Sequence, residues 1–171
     1  MTPKSRLKTI VLTSVILLIV CLGFLITKSF FAKQKSAEEI KNLPPLNFRT
    51  LQNKVFTEKD IPGGVPLIIN YFNPSCDHCQ YEAREIKSRI NEFQDIFLLM
   101  VSAEPLDSIS AFGKRFELFT ESNIRLVHDS TGEFRKIFGS VIVPSFFIYD
   151  SNHRLLRKFE GETKVDALLF K

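Results

Sequence analysis

The chain has no tryptophan, only three cysteines and no second close cysteine pair in its 171 residues. Three cysteines are too few for a small disulfide-stapled domain, so the fold must rest on an apolar core. The hydrophobic share of 44% is ample for one, and 17 phenylalanines describe a Phe-rich interior without naming a ligand. A basic patch is lacking too. The net charge of +4 is spread along the chain, and Lys33 and Lys35 form an isolated pair. That pattern offers no footprint for nucleic acid. No internal repeat or low-complexity tract is present, and the length suits one domain plus appendages.

Charge is absent from residues 9–27, "TIVLTSVILLIVCLGFLIT". As a helix this run spans roughly 28 Å, close to the bilayer hydrocarbon thickness. A secretory signal peptide begins similarly, but this run is longer than a usual signal core and no small-x-small cleavage site follows it. A lipoprotein reading would use Cys21, but Val20 is bulkier than that site prefers. The expectation is an uncleaved single-pass anchor in the cell membrane, with Cys21 facing lipid or a neighbouring helix. Lys4, Arg6 and Lys8 precede it; Lys28, Lys33 and Lys35 follow. This charge count is nearly a tie. The short N-terminal tail and its amine favour N-in, which puts the domain on the non-cytoplasmic side. The organisation read from the sequence is a tail at 1–8, the anchor at 9–27, a linker or stalk at 28–42 and a domain at 43–171. The two prolines of "LPPLNF" mark the boundary.

Beyond Leu43 the hydrophobic pattern alternates in type. Leu67 to Phe72 is a continuous apolar strand of the kind buried on both faces. Cys79, Ala83, Ile86, Ile90 and Phe93 step by fours and threes, predicting a helix from about Asp77. "IFLLMV" is a second buried strand, and Ile109, Phe112, Phe116 and Phe119 mark a second helical stripe. "IRLVHD" reads as extended and "TGEFRKIFG" as a turn and short helix. "SFFIYD" and "RLLRKF" predict a hairpin across "DSNH", and "TKVDALLFK" a closing helix. This order argues for an α/β fold with a mixed sheet flanked by helices.

The close pair is Cys76-Asp77-His78-Cys79. Cys76 falls where the first strand's exit meets the helix, and backbone N–H groups with the positive dipole end favour a thiolate there. Cys79 lies one turn on, in the apolar stripe. The two sulfurs are therefore unequal. Cys76 reads as the exposed nucleophile, and Cys79 as the sheltered resolving thiol that attacks a mixed disulfide and releases the substrate. The spacing lets them close a Cys76–Cys79 disulfide. His78 is placed to stabilise the Cys76 thiolate, and Asp77 to oppose it by charge; each also reads as a plain solvent-facing residue. A structural zinc site wants four ligands, and His128 and His153 stand alone. Haem attachment needs a histidine where Gln80 stands.

The stretches "NYFNPSCDHC", "LVHDSTGEFRKIFG", "VIVPSFFIYD" and "DSNHRLLRKFEG" occur in this order. Together they resemble the thioredoxin-like domains of membrane-anchored TlpA/ResA-type thiol-disulfide oxidoreductases, within the wider redoxin group. The resemblance covers roughly residues 43–170. It implies a thioredoxin-like fold, with Asn70 where this subgroup often has asparagine. It also implies a cis Val143–Pro144 bond facing the cysteines, with Val143 and Ser145 flanking the groove for a substrate cysteine. On the residues alone, Pro144 reads equally as a strand-start proline. Glu82 matches the acid that the subgroup carries three positions after the second cysteine, where it serves as proton acceptor for the buried sulfur. A solvated helix-face acid is the other reading. Glu85 and Arg89, four apart, read as a surface pair. Ser75 stands where relatives carry an aromatic residue and Arg84 where they often carry proline.

The expected function is a membrane-tethered thiol-disulfide oxidoreductase reducing protein disulfides outside the cytoplasm. Its partners would be protein thiols and disulfides, a thiol electron donor and the membrane. No cofactor or metal is expected, since the dithiol is itself the redox centre. Two alternatives remain. A peroxiredoxin-like peroxidase would need Pro and Thr or Ser where Ile69 and Asn73 stand. A non-catalytic binding module would keep the pair only as a structural disulfide.

Overall fold

A computed structural model of the chain describes residues 17–24, 27, 38–139 and 142–169. The chain divides into two compact units, Met1–Glu38 and Glu39–Lys171. In the first, residues 17–24 are helical, with Leu17, Leu18, Ile19, Val20, Leu22 and Phe24 all exposed. More than half of the expected anchor and most of the expected stalk lie outside the described residues. Among the described residues, no helix is long and apolar enough to cross a membrane.

The second unit is a seven-stranded mixed sheet between helices. Its strands are β1 (Phe48–Thr50), β2 (Val55–Phe56), β3 (Leu67–Tyr71), β4 (Phe97–Ser102), β5 (Ile124–His128), β6 (Ser145–Tyr149) and β7 (Leu155–Glu160). The helices are α1 (Asp77–Ser88), α2 (Leu106–Arg115), α3 (Glu133–Phe138) and α4 (Val165–Leu168). The strand order is β2-β1-β5-β4-β3-β6-β7. β3 pairs parallel with β4 and antiparallel with β6. That central place explains its apolar character on both faces, interrupted only by the buried Asn70, since both of its faces are covered.

Alternation along β3 divides the core in two. Ile68 and Phe72 join Cys79, Ala83 and Ile86 of α1, Ile109 and Phe112 of α2, and Val165 and Leu168 of α4. Leu67 and Ile69 face the opposite cluster with Phe48, Phe134 and Phe138. There the Phe134 ring stacks on Tyr71 at 4.2 Å and on Phe138 at 4.4 Å between centroids. Asp129 anchors α3 beneath this stack. It is buried, and its two carboxylate oxygens accept the N–H groups of Glu133 and Phe134 at 2.7 and 3.1 Å.

Several local readings need correction. α1 stops at Ser88, and Ile90 and Phe93 continue the stripe from a separate 3-10 turn, Ile90–Phe93. Phe119 is 48% exposed rather than part of the second stripe. α2 ends at Arg115, Glu117 takes a left-handed φ of 52°, and Leu118 drops into the core instead. The Phe119 ring lies over Gly113, where a Cβ would stand 2.4 Å from it. The β1–β2 pairing was not legible as strands, because three and two residues carry no usable period.

Candidate active site

The segment leaving β3 is fastened before it reaches α1. Asn73 Nδ2 donates to Glu104 Oε1 at 2.6 Å, and Asn73 Oδ1 accepts the Ser75 N–H at 2.7 Å. The Cys76 N–H donates to the Asn73 carbonyl at 3.1 Å, and Gln80 Nε2 to the Pro74 carbonyl at 2.9 Å. Cys76 is thereby held as the N-cap residue of α1, with extended backbone at φ −81° and ψ 123°. Its half-buried thiol lies 4.0 Å from the Val143 carbonyl oxygen. The Val143–Pro144 bond, immediately before β6, is cis. Pro144 and Ser145 are buried, and the Ser145 hydroxyl bonds the Ile142 carbonyl. Asn70 is buried in β3, its Nδ2 3.5 Å from the Ser145 carbonyl oxygen.

Cys79 is only 3% exposed and sits in the apolar cluster; both thiols are free. Burial pushes the Cys79 thiol up to about 12; a bond from the Asn73 backbone pulls it down, while Cys76 and the Glu82 charge push it further up. Only a thiolate attacks a disulfide, so this sulfur needs a nearby proton acceptor. Glu82, one turn along α1, is also 3% exposed. Its Oε1 accepts the Thr163 N–H at 2.5 Å, and its Oε2 has no hydrogen-bond partner. Burial pushes the Glu82 carboxyl up to about 8, opposed by the Thr163 N–H and aided by the Glu162 charge. A carboxyl poised there can take up or release a proton near neutral pH.

The other residues singled out in the sequence fall around this centre. Asp77 is exposed in the first turn of α1. His78 is exposed as well, and its Nδ1–H donates to Glu162 Oε2 at 2.5 Å, not to Cys76. Arg89 does not pair with Glu85. Its guanidinium reaches Glu92 at 2.6 Å and Asp166 at 2.7 Å, because Asp166 of α4 lies alongside α1. Ile69 is buried in the core on the far side of the sheet, so the peroxidatic frame has no counterpart at that position. Glu162 and Thr163 were missed: they are polar residues in a loop more than eighty positions from their partners, and nothing local marks them.

Three sets of likeness bear on this geometry. Residues 40–158 match the AhpC/TSA family. The thiol-disulfide oxidoreductase ResA of Bacillus thuringiensis is 24% identical over 160 residues, covering 90% of this chain and 89% of that protein. Among solved structures, Mycobacterium tuberculosis DsbF in mixed oxidised and reduced forms superposes with a TM-score of 0.63 at 16% identity. That match covers 77% of this chain and 92% of that one. StoA of Bacillus subtilis gives 0.57 at 16% identity, covering 74% and 94%. These structural likenesses show the thioredoxin-like fold. The family match extends over more than two thirds of the sequence and includes both cysteines, Glu82 and the cis proline, and on that ground the chain belongs to the AhpC/TSA family of redoxins.

Proposed function

We propose that this redoxin-family oxidoreductase exchanges dithiol for disulfide at Cys76 and Cys79 while tethered to a membrane, and that it reduces protein disulfides outside the cytoplasm. One observation carries the reading: a half-buried Cys76 at a helix N-cap, 4.0 Å from the Val143 carbonyl beside a cis proline, with Cys79 buried behind it. In the reducing direction, the Cys76 thiolate attacks a substrate disulfide. One substrate sulfur leaves as a thiol, and a mixed disulfide forms. Glu82 then takes the Cys79 proton, Cys79 attacks the Cys76 sulfur, and the second substrate thiol departs as the Cys76–Cys79 disulfide closes. The two electrons gained by the substrate come from the dithiol, which a thiol donor must restore.

The tether rests on the uncharged run at 9–27 and on the exposed apolar side chains of its described part, 17–24. Asp77 and His78 border the nucleophile, and Val143 and Ser145 frame the groove for the incoming cysteine. Direction is tested by equilibrating the pair in defined redox buffers. A reversible potential near about −270 mV or lower supports a reductant. A value near about −120 mV reverses the direction to disulfide donation. A pair that cannot be cycled overturns catalysis in favour of a structural disulfide in a binding module.

A further inference from the structure

Three polar links run along α1 and its C-cap, at His78, Glu82 and Arg89. Their partners follow in the same order along the chain after β7: Glu162, the Thr163 N–H and Asp166. The outer two links are an exposed His78–Glu162 hydrogen bond and an Arg89–Asp166 ion pair. The middle one is buried and carries an unpartnered Glu82 Oε2. The Thr163 N–H therefore reaches Glu82 from a segment that is pinned to α1 on either side. On its active-site side the pin is the His78–Glu162 pair, with side chains 67% and 49% exposed.

We propose that the His78–Glu162 pair clamps the Gly161–Thr163 segment over Glu82, making His78 and Glu162 positioning residues for the carboxyl that accepts the Cys79 proton. This inference rests on the dithiol reading above. It gives His78 a role through Glu162, in place of a direct action on Cys76. An exposed pair adds little to stability by itself. Its leverage is local: the segment that it holds supplies the Thr163 N–H to the buried Glu82, and on this proposal also covers it from water.

The sign of the effect follows from the groups around Glu82. Burial is the largest influence raising its carboxyl, and the Thr163 N–H is a smaller one lowering it. With the segment as both cover and donor, its release removes both influences, and the larger one, burial, decides the sign: Glu82 becomes more easily ionised. From the clamping segment, the charge acting on Glu82 is that of Glu162; on α1 itself, Glu82 and Cys79 act on each other, with Cys76 next to Cys79. Replacing Glu162 by glutamine also removes a like charge, and so moves Glu82 in the same direction.

The test follows the Glu82 carboxyl itself against pH by carbon-13 NMR of glutamate-labelled protein, in the full chain in detergent with Cys76→Ser. The parent carboxyl is expected to titrate near about 8. His78→Gln should lower that midpoint by about one pH unit, and Glu162→Gln by at least as much. The double variant should move no further than Glu162→Gln alone, since both break one link. His78→Arg should restore the parent midpoint, because a guanidinium still donates to the Glu162 carboxylate. Unmoved midpoints in both single variants overturn the clamp. So does a His78→Gln midpoint that rises while that of Glu162→Gln falls, which is the signature of charge without positioning. A parent titration with no such midpoint overturns it as well. Redox cycling of the intact chain is measured alongside. A Cys76–Cys79 pair that fails to cycle overturns the dithiol reading, whereas a cycling pair with unmoved midpoints overturns only the clamp.

Discussion

The Glu82 carboxylate accepts the backbone N–H of Thr163 at 2.5 Å, across 81 positions of sequence. A helix-face acid becomes buried by this contact, because α4 packs its Val165 and Leu168 into the same cluster as Ala83 and Ile86 of α1. The carboxyl is satisfied on one oxygen and open on the other, which is the arrangement a proton carrier needs.

The inequality of the two cysteines leads to a trapping prediction. Cys79→Ser should accumulate mixed disulfides with protein substrates, since Cys76 remains reachable and nothing resolves the intermediate. Cys76→Ser should trap little, because the remaining thiol is 3% exposed and its proton leaves only near about 12. Non-reducing electrophoresis after acid quench makes the comparison. Equal trapping by the two variants would count against the assignment of roles.

Glu82 should also make stability depend on pH. Its folded value, about 8, lies above the ordinary 4.5, so the native state binds the extra proton between them. Stability therefore falls as pH rises through that window, by about 1.4 kcal/mol per unit at most, and the full penalty is present above about 8. Glu82→Gln should flatten this slope and stabilise the protein at alkaline pH while slowing the resolving step. Urea midpoints of the two proteins at pH 5 and pH 9 give the measurement; parallel curves would sink the prediction.

Phe134 is the hub of the aromatic stack behind the sheet, in contact with Tyr71, Phe138 and Phe147. Phe134→Ala should cost about 3–5 kcal/mol by opening a cavity. Asp129→Ala removes the acceptor for two N–H groups of α3 and should cost about 1–2 kcal/mol. Denaturant unfolding with an unchanged slope tests both. A larger loss at Asp129 than at Phe134 would reverse the stated order.

The anchor reading makes a prediction at the level of the cell. The full chain should sediment with membranes, resist alkaline carbonate and be released by detergent. Protease added from the non-cytoplasmic side should degrade the domain. Release by carbonate would remove the anchor, and protection of the domain would reverse its orientation.

Much of this architecture was legible because it is periodic. β3 could be read as doubly buried from six apolar-rich positions, and α1 from the step of Cys79, Ala83 and Ile86. The cysteine pair was legible because its chemistry depends on local spacing at a strand-to-helix junction. Short strands such as β2 carry no period, and the end of α2 turned on the left-handed φ at Glu117, which no pattern of apolar residues encodes.

What the sequence by itself determined is therefore the unequal pair: one cysteine at a helix start and a second on the buried stripe, fixed by two intervening residues. Only the tertiary structure decided what surrounds them. The Val143 carbonyl stands 67 residues from Cys76, and Glu162 stands 84 from His78. Those neighbours meet because β6 pairs with β3 and α4 packs on α1, and contacts set by sheet order and helix packing leave no trace in local spacing.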